Sequence, residues 1–306
     1  YGRSGFSQLN YNWSNTYFLL ANFRVDQSSA FGGDNDTAIN AGLGASWVIS
    51  KESFLENLGW VDFLRLRASY GSTGNSRIGS YRALGLYSRN PNGYNGIDFA
   101  NPTNTAPNSN LGWEKNYKFN IGVDLNFLNK YNLTLEYFRD DINDMIVSRP
   151  AIPESGYNNI QINGASMINS GVELSLTANW ISNEKFVWNT SLNTSSLRNE
   201  VTDLIGIGSD FSIAEQARSQ QIGFPTSTIW GFESIGIDPA TGRELFNVNG
   251  GIYDAAQLRS NFNENDWSPI GDSQPDLYGG MRNNFSFSNF NLNIITSYSI
   301  GGQQLV

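Results

Sequence analysis

A long stretch of strict two-residue alternation runs from Lys115 to Tyr137. Apolar side chains occupy every second position on both sides of a short turn, and amide or charged side chains occupy the positions between them. A helix, with its period of 3.6, cannot separate two such sets, whereas a strand separates them completely. We therefore predict a β-hairpin that turns at Leu128–Lys130 and has one apolar face. The apolar set is Tyr117, Phe119, Ile121, Val123, Leu125, Phe127, Tyr131, Leu133, Leu135 and Tyr137.

The length of this hairpin bears on what its apolar face contacts. Strands of soluble proteins usually contain about five or six residues, whereas Tyr117 to Phe127 covers ten steps. At about 3.3 Å per residue and a tilt near ~40°, such a strand rises roughly 25 Å, the height of the lipid-facing band of an outer-membrane barrel. A long strand of a soluble β-sandwich would show the same alternation, so this hairpin alone leaves both interpretations open.

Repetition of the pattern favours the membrane interpretation. Connections between the alternating segments are short and long in turn, as in outer-membrane barrels. Aromatic residues flank the short turns, where rings at a membrane interface are favoured. We predict an all-β fold, a transmembrane antiparallel β-barrel with about ten spanning strands. The further alternating segments are 9–13, 17–25, 39–47, 64–70, 172–180, 186–192, 281–287 and 290–298, and the rings are Trp13, Tyr17, Trp47, Phe127, Tyr131, Trp180, Phe186, Phe287 and Phe290.

The long connections are predicted to be outer loops. Gly71–Gly112 and Ile142–Ala165 are rich in turn-forming residues and are expected to be irregular. Asn199–Asp276 breaks the alternation but contains strand-like pieces, so we expect a folded extracellular insertion. The loop order places both ends of the chain on the outer side, whereas barrels normally keep both termini periplasmic. We therefore expect residues 1–306 to be an internal piece of a larger barrel.

Composition excludes several functions. The chain has no Cys and no His, which removes thiolate metal sites and the commonest general base. A net charge of −9 argues against a nucleic-acid partner. Adjacent carboxylates such as Asp140 and Asp141 point to opposite faces of a strand and do not form a catalytic pair. We expect no enzymatic activity and no cofactor.

Six blocks of the sequence resemble the SusC/RagA class of TonB-dependent outer-membrane transporters, in that family's order. They are L-R-A-S-Y-G-S-T-G-N at 66–75, N-L-G-W-E-K-N-Y-K-F-N-I-G-V-D at 110–124, L-E-Y-F-R-D-D-I-N-D-M-I at 135–146, M-I-N-S-G-V-E-L-S-L at 167–176, I-G-F-P-T-S-T-I-W-G-F at 222–232 and I-G-D-S-Q-P-D-L-Y-G-G-M-R-N-N-F-S-F at 270–287.

This resemblance implies a barrel of about 22 strands with an N-terminal plug, embedded among the lipids and lipopolysaccharide of the bacterial outer membrane. It implies energy from TonB, a SusD-like surface lipoprotein as a lid, pairing of such complexes into dimers, and import of oligosaccharides or peptides. The plug, the TonB-contacting segment and the closing strands are expected outside these residues. Two alternatives stay open: a passive porin or structural barrel, and a soluble glycan-binding β-sandwich.

Charged side chains on the polar face are the first candidate site residues. They are expected to face the barrel lumen, where they would contact the plug or a passing solute, or simply satisfy one another and water. The lumen-facing candidates are Arg65, Arg67, Lys118, Asp124, Glu136, Glu173 and Arg282.

Aromatic and acidic residues of the long loops are the second set. Tyr81, Tyr87, Tyr94 and Trp113 could stack on sugar rings, contact the lid protein, or hold a long loop together. Asp238, Glu264, Asp266 and Asp272 carry the oxygen donors that Ca²⁺ uses, but their spacing fits no EF-hand loop, and solvated loop charge is the better explanation.

Overall fold

The computed structural model describes residues 2–33, 35–55, 58–75, 78–79, 82–91, 98–204, 220–262 and 266–304. Ten long strands in these ranges form one antiparallel sheet with the order β1-β2-β3-β4-β8-β9-β10-β11-β17-β18, and the short β7 pairs parallel to β10. The elements are β1 (Gly2–Trp13), β2 (Tyr17–Ser28), β3 (Thr37–Val48), β4 (Val61–Asn75), β5 (Tyr87–Asn90), β6 (Phe99–Pro102), β7 (Thr105–Ala106), β8 (Glu114–Phe127), β9 (Tyr131–Pro150), β10 (Asn159–Ser182), β11 (Phe186–Leu204), β12 (Thr228–Gly231), β13 (Glu233–Ile237), β14 (Glu244–Val248), β15 (Gly251–Asp254), α1 (Ala255–Asn261), β16 (Ser268–Asp272), β17 (Pro275–Phe287) and β18 (Phe290–Gly301).

Tight turns join the predicted hairpins. Leu128 and Asn129 have φ of 54° and 50°, and the Lys130 N–H donates to the Phe127 carbonyl at 3.2 Å. Two successive left-handed residues inside a four-residue turn give the type I′ geometry, which matches the twist of the flanking strands. The predicted turn at Leu128–Lys130 is therefore confirmed.

The strand register keeps the two faces separate across the sheet. In one cross-strand row, Leu66, Val123, Leu135 and Leu174 lie opposite one another. One residue along, Arg67, Gly122, Glu136 and Glu173 form the next row. Partners in register share a face, so the alternation in each strand adds up to one apolar face and one polar face.

The apolar face is largely uncovered. Leu9, Ile39 and Leu43 are 67%, 66% and 69% exposed. No second sheet packs on this face in the part of the chain that the structure describes. The accessible surface is 19948 Å² for a 33.9 kDa chain, whereas a globular monomer of that mass exposes about 12,800 Å². The β-sandwich alternative is therefore wrong, and the exposed apolar face suits contact with hydrocarbon.

Aromatic rings form a band at the short-turn end of the apolar face, as predicted. The Trp13 and Tyr17 rings lie 5.5 Å apart, and the Tyr17 and Trp47 rings 6.3 Å apart. Glu52, in the connection after β3, accepts hydrogen bonds from Tyr17 Oη at 2.5 Å and Trp47 Nε1 at 2.9 Å. The hydrogen bond from Tyr17 holds the pKa of Glu52 below its ordinary value. A second run of ring contacts joins Phe127, Tyr131, Trp180, Trp188, Phe285 and Phe186.

One amide lies on the apolar face inside this band. Asn283 pairs in register with Thr190 and Ile294. Its Oδ1 accepts from Thr190 Oγ1 at 2.5 Å and from Trp188 Nε1 at 3.2 Å. A polar group away from water is costly unless it is hydrogen-bonded, and these neighbours supply the bonds, so the amide is compatible with the apolar face.

Several strands extend beyond their predicted ends. β9 runs to Pro150 and β10 begins at Asn159, so the prediction that Ile142–Ala165 forms an irregular loop was wrong. β4 likewise continues to Asn75, into the predicted loop Gly71–Gly112. β11 continues to Leu204, so the insertion predicted from Asn199 starts after that strand. Where both faces of a strand meet water, the alternation disappears although the backbone pairing continues.

The insertion contains two small sheets and one helix. β12 pairs with β16, and β13, β14 and β15 form a meander that leads into α1. Asp254 caps α1 by accepting from the Ala256 and Gln257 N–H groups, while the Gln257 side chain accepts from the Asp254 N–H. This capping box satisfies N–H groups that a helix start leaves unpaired. In the described ranges, no helix is long and apolar enough to cross a bilayer.

Candidate functional site

The polar face of the sheet carries all seven lumen-facing candidates. Arg65 and Arg67 lie on β4, Lys118 and Asp124 on β8, Glu136 on β9, Glu173 on β10 and Arg282 on β17. Their register partners share one face across these strands. The structure therefore places these residues on the polar face, and their contact with a plug or solute stays a prediction.

Four of the candidates form a connected ion network. Arg65 Nε donates to Asp124 Oδ2 at 3.0 Å, and Arg67 Nη2 donates to Glu136 Oε2 at 2.5 Å. Arg67 Nε lies 3.4 Å from Asp124 Oδ2, which joins the two pairs. The Thr134 hydroxyl donates to the other Asp124 oxygen at 3.1 Å. This network ties β4, β8 and β9 together through charged hydrogen bonds, which are stronger than neutral ones.

A glycine in β8 makes room for the contact between Arg67 and Glu136, which spans that strand. Gly122 sits in register between Arg67 and Glu136. A Cβ at this position would lie 2.9 Å from Arg67 Cζ. The guanidinium therefore lies flat over the β8 backbone to reach the carboxylate, and a larger residue would displace it.

The other three charged candidates are not among the ion pairs of this network. Lys118 Nζ is 2.6 Å from Asp140 Oδ2. Glu173 faces Glu136 in register, and Arg282 faces Ser191 and Ile295. Together with Asp140, the seven candidates comprise four cations and four carboxylates, so this part of the polar face is electrically balanced. The members are Arg65, Arg67, Lys118 and Arg282 against Asp124, Glu136, Asp140 and Glu173.

A shallow cavity lies next to the network and includes Arg67 in its wall. The cavity has a volume of about 340 Å³ and includes Asn10, Ser46, Arg67 and Asn120 in its lining. Amide, hydroxyl and guanidinium groups offer both donors and acceptors. Phe18 and Leu20 also line the cavity, so it offers apolar contact beside these hydrogen-bonding groups.

The loop candidates have different environments. Trp113 is only 9% exposed, its ring lies 4.9 Å from that of Phe31, and its Nε1 donates to the Asp36 carbonyl at 3.0 Å. The ring packs inside the loop between β4 and β8 against Ala83 and Leu111, which supports the interpretation that Trp113 holds a long loop together, and its contact with a sugar or the lid protein stays a prediction. Tyr87 is 65% exposed and stays a contact candidate. Tyr81 and Tyr94 lie outside the described residues.

Tyr157 is a loop aromatic that sequence reasoning missed. It follows the β9 end, and its hydroxyl forms a hydrogen bond with that of Tyr87, which raises the pKa of Tyr157. Ile152 and Phe99, in the same loops, are 71% and 47% exposed. An aromatic residue in a predicted loop was a usable signal, but its pairing with Tyr87 depends on tertiary structure.

Two of the predicted oxygen donors for Ca²⁺, Asp238 and Asp272, accept hydrogen bonds within local turns. Asp238 accepts from the Ala240 N–H at 2.9 Å and from Thr241 Oγ1 at 2.6 Å. Asp272 accepts from the Gln274 N–H at 2.9 Å. Glu264 lies outside the described residues. Among the residues that are described, no group of three or more His, Cys, Asp or Glu side chains is arranged to hold a metal ion.

Comparison with known families gives one match over almost the whole chain. The family described as "TonB dependent receptor-like, beta-barrel" matches residues 1–304. TonB-dependent receptor P39 of Formosa agariphila is 29% identical over 97% of this chain and 32% of its own length. TonB-dependent receptor SusC of Bacteroides thetaiotaomicron is 34% identical over 66% of this chain and 21% of its own length.

Solved structures agree with the sequence comparison. The RagAB peptide importer in its closed-closed state superposes with a TM-score of 0.87 at 29% identity, over 98% of this chain and 33% of that chain. The outer membrane transporter YddB of Escherichia coli reaches a TM-score of 0.55 at 13% identity, which shows likeness of fold alone. The chain thus spans about a third of the length of the relatives that it matches along nearly its whole length.

Proposed function

The chain belongs to the β-barrel family of TonB-dependent receptors, and we propose on that basis that it forms part of the wall of an active importer in the outer membrane. The predicted resemblance to the SusC/RagA class is confirmed by the similarity to SusC and to RagAB. The predicted fold class is confirmed by the antiparallel sheet together with the barrel family. Proteins of this family reside in the outer membrane, which fits the exposed apolar face.

The observation that carries the proposal is the TM-score of 0.87 with the RagAB peptide importer, over 98% of this chain. A passive porin would share the two-faced strands, so it is the likeness to an importer that favours active import. We propose a SusD-like surface lipoprotein as the partner that covers the outer opening, TonB as the source of energy, and pairing of two such complexes.

The polar face supports the proposed class of substrate. The eight charged side chains described above balance, and Asn10, Ser46 and Asn120 provide uncharged hydrogen-bonding groups beside Arg67. Such a wall neither repels nor traps a neutral or zwitterionic solute by net charge. Oligosaccharides and peptides fit this description, and we propose these as the imported molecules. The lumen-facing candidates would contact the plug or the passing solute, and Tyr87 the substrate or the lid.

Uptake measurements test the proposal. The full-length protein that contains these residues would be expressed in cells that lack it, and uptake of labelled oligosaccharide and peptide mixtures would be followed. Import should stop when the proton gradient is collapsed with a protonophore, and also when the TonB-contacting segment is deleted. A general porin measured in the same cells is the control, because its passive flux should not change.

Two results would overturn the proposal. Uptake that persists without a proton gradient would make the protein a passive porin. If the full-length protein is purified in detergent and no surface lipoprotein co-purifies with it, the hypothesis of a lid partner is excluded.

A further inference from the structure

The strand register explains the shape of the cavity beside the ion network. Two neighbouring cross-strand rows of the polar face form its floor, across β1, β2, β3, β4 and β8. Because Gly44 has no side chain, the first row dips at its centre, and a cavity of about 340 Å³ opens there. The first row is Asn10, Leu20, Gly44, Ser69 and Asn120, and the second is Asn12, Phe18, Ser46 and Arg67.

Two apolar side chains lie in this floor at positions where the alternation calls for polar groups. Phe18 and Leu20 occupy even-numbered positions of β2, in the set that also holds Asn22 and Arg24. Leu20 is 38% exposed, and its Cβ lies 3.7 Å from where a Cβ on Gly44 would be. Proteins break a local pattern mainly at functional sites, so the two side chains mark the cavity as a place of contact.

Hydroxyl and amide groups surround the apolar floor. Within the described ranges, the side chains of Ser46, Ser69 and Asn120 form no hydrogen bond with the protein, although they line the cavity. A hydroxyl or an amide side chain can both donate and accept. These three groups are therefore available to the hydroxyl groups of a ligand, which also donate and accept.

The charge of the cavity is already paired. Among the described residues that line it, Arg67 is the only charged one. Its guanidinium donates to Glu136 at 2.5 Å and lies 3.4 Å from Asp124. An ionised ligand group that left water for this cavity would find no free counter-charge, and such a transfer is costly. The cavity therefore favours an uncharged ligand.

We propose that this cavity binds one ring of a neutral oligosaccharide. A pyranose ring has a face of C–H groups and a rim of hydroxyl groups. Phe18 and Leu20 suit the face, because the face of an aromatic ring carries partial negative charge and attracts C–H groups. The volume lies near the lower end of the range for ligand pockets, about 300–1,000 Å³, which suits a single ring. The inference rests on the proposed import function and narrows its substrate to oligosaccharides.

Equilibrium binding to the full-length protein tests the site. The protein would be purified in detergent and titrated by calorimetry with a panel of short neutral oligosaccharides. A matching panel of peptides, acetylated and amidated so that their termini are uncharged, would be titrated in the same way. The wild type should bind at least one oligosaccharide, and more tightly than any of the blocked peptides.

Substitutions in the cavity should weaken the binding of that oligosaccharide. G44L fills the cavity, and since one misfitting methylene group already costs about tenfold or more, the loss should exceed about tenfold. N120A removes one hydrogen bond to a hydroxyl group and should weaken binding about fivefold.

Ser175 provides the matched control for G44L. It is exposed on the polar face of β10, outside the cavity. S175L adds the same side chain to that face and should bind the oligosaccharide as the wild type does. All variants would first be checked for the folded, heat-modifiable band on gels.

Four outcomes would overturn the inference. The wild type could bind no oligosaccharide of the panel, it could bind the blocked peptides as tightly, or S175L could lose as much affinity as G44L. G44L could also bind like the wild type, which would mean that another element, such as the plug, occupies the cavity.

The binding assay also separates this inference from the proposed function, because it needs no proton gradient. A protein that binds the oligosaccharide but transports it passively would refute active import alone. A protein that imports actively, with unchanged affinity in G44L, would refute the cavity alone.

Discussion

Leu174 and Ser175 are adjacent residues of β10 that the structure places on opposite faces at one height. Leu174 lies in the apolar row with Leu135, whereas Ser175 is exposed on the polar face opposite Thr134. Leu174 is four residues from Ala178, which faces Tyr131 of the ring band. Four steps of a tilted strand rise about 10 Å, close to the middle of a band about 25 Å tall. Substitutions at Leu174 and Ser175 therefore compare the two faces of the sheet at the same depth in the bilayer.

Arginine at these positions should have very different costs. L174R places a guanidinium in the hydrocarbon and should destabilise the folded protein by about 2–4 kcal/mol, roughly 30- to 900-fold in the folding equilibrium. S175R enters a polar surface two residues from Glu173 on the same face, so its cost should remain below about 1 kcal/mol.

Urea titration of the full-length protein in phospholipid vesicles measures both values. Tryptophan fluorescence follows unfolding, and the heat-modifiable gel shift confirms the folded fraction at each urea concentration. Equal penalties for L174R and S175R, or a larger one for S175R, would refute the assignment of the two faces.

Two further predictions concern the polar face and the insertion. Gly122→Val should displace the Arg67 guanidinium, which a Cβ would approach to 2.9 Å. Because the guanidinium is the end of a flexible side chain, the cost in the same urea titration should be about 1 kcal/mol, the loss of one partly exposed ion pair. Gly5→Val, where a Cβ meets nothing within 4 Å, should cost less, and equal losses would contradict the explanation. The N–H of Gln257, together with other neighbours, holds the pKa of Asp254 below its ordinary value, so the α1 cap should be fully formed above about pH 4 and lost as the pH falls through that lowered pKa. The loss of the cap is measured by the rate of proteolysis of α1 between pH 5 and pH 2. If the D254N variant keeps the same pH response, that response belongs to another group.

Local pattern was enough to predict the hairpins. The alternation around Val123 assigned each residue to a face, and the turn at Leu128–Lys130 could be placed because it interrupts that alternation. Ring positions such as Trp13 and Tyr17 were also predictable, because they follow from the turns. The ends of β9 and β10 were not predictable, since past the apolar band both faces are wet and the pattern carries no strand signal.

Contacts between distant segments required the structure. The carboxylate that Arg67 reaches lies across Gly122 on a third strand, 69 residues away. Trp113 looked like any exposed loop aromatic, yet it is buried against Phe31.

The sequence by itself determined which side chains share the apolar face and which share the polar face, because the period of a strand is a property of the backbone. Only the tertiary structure decided which polar groups meet, because that depends on how neighbouring strands are aligned, and a shift of one residue would exchange every contact between them.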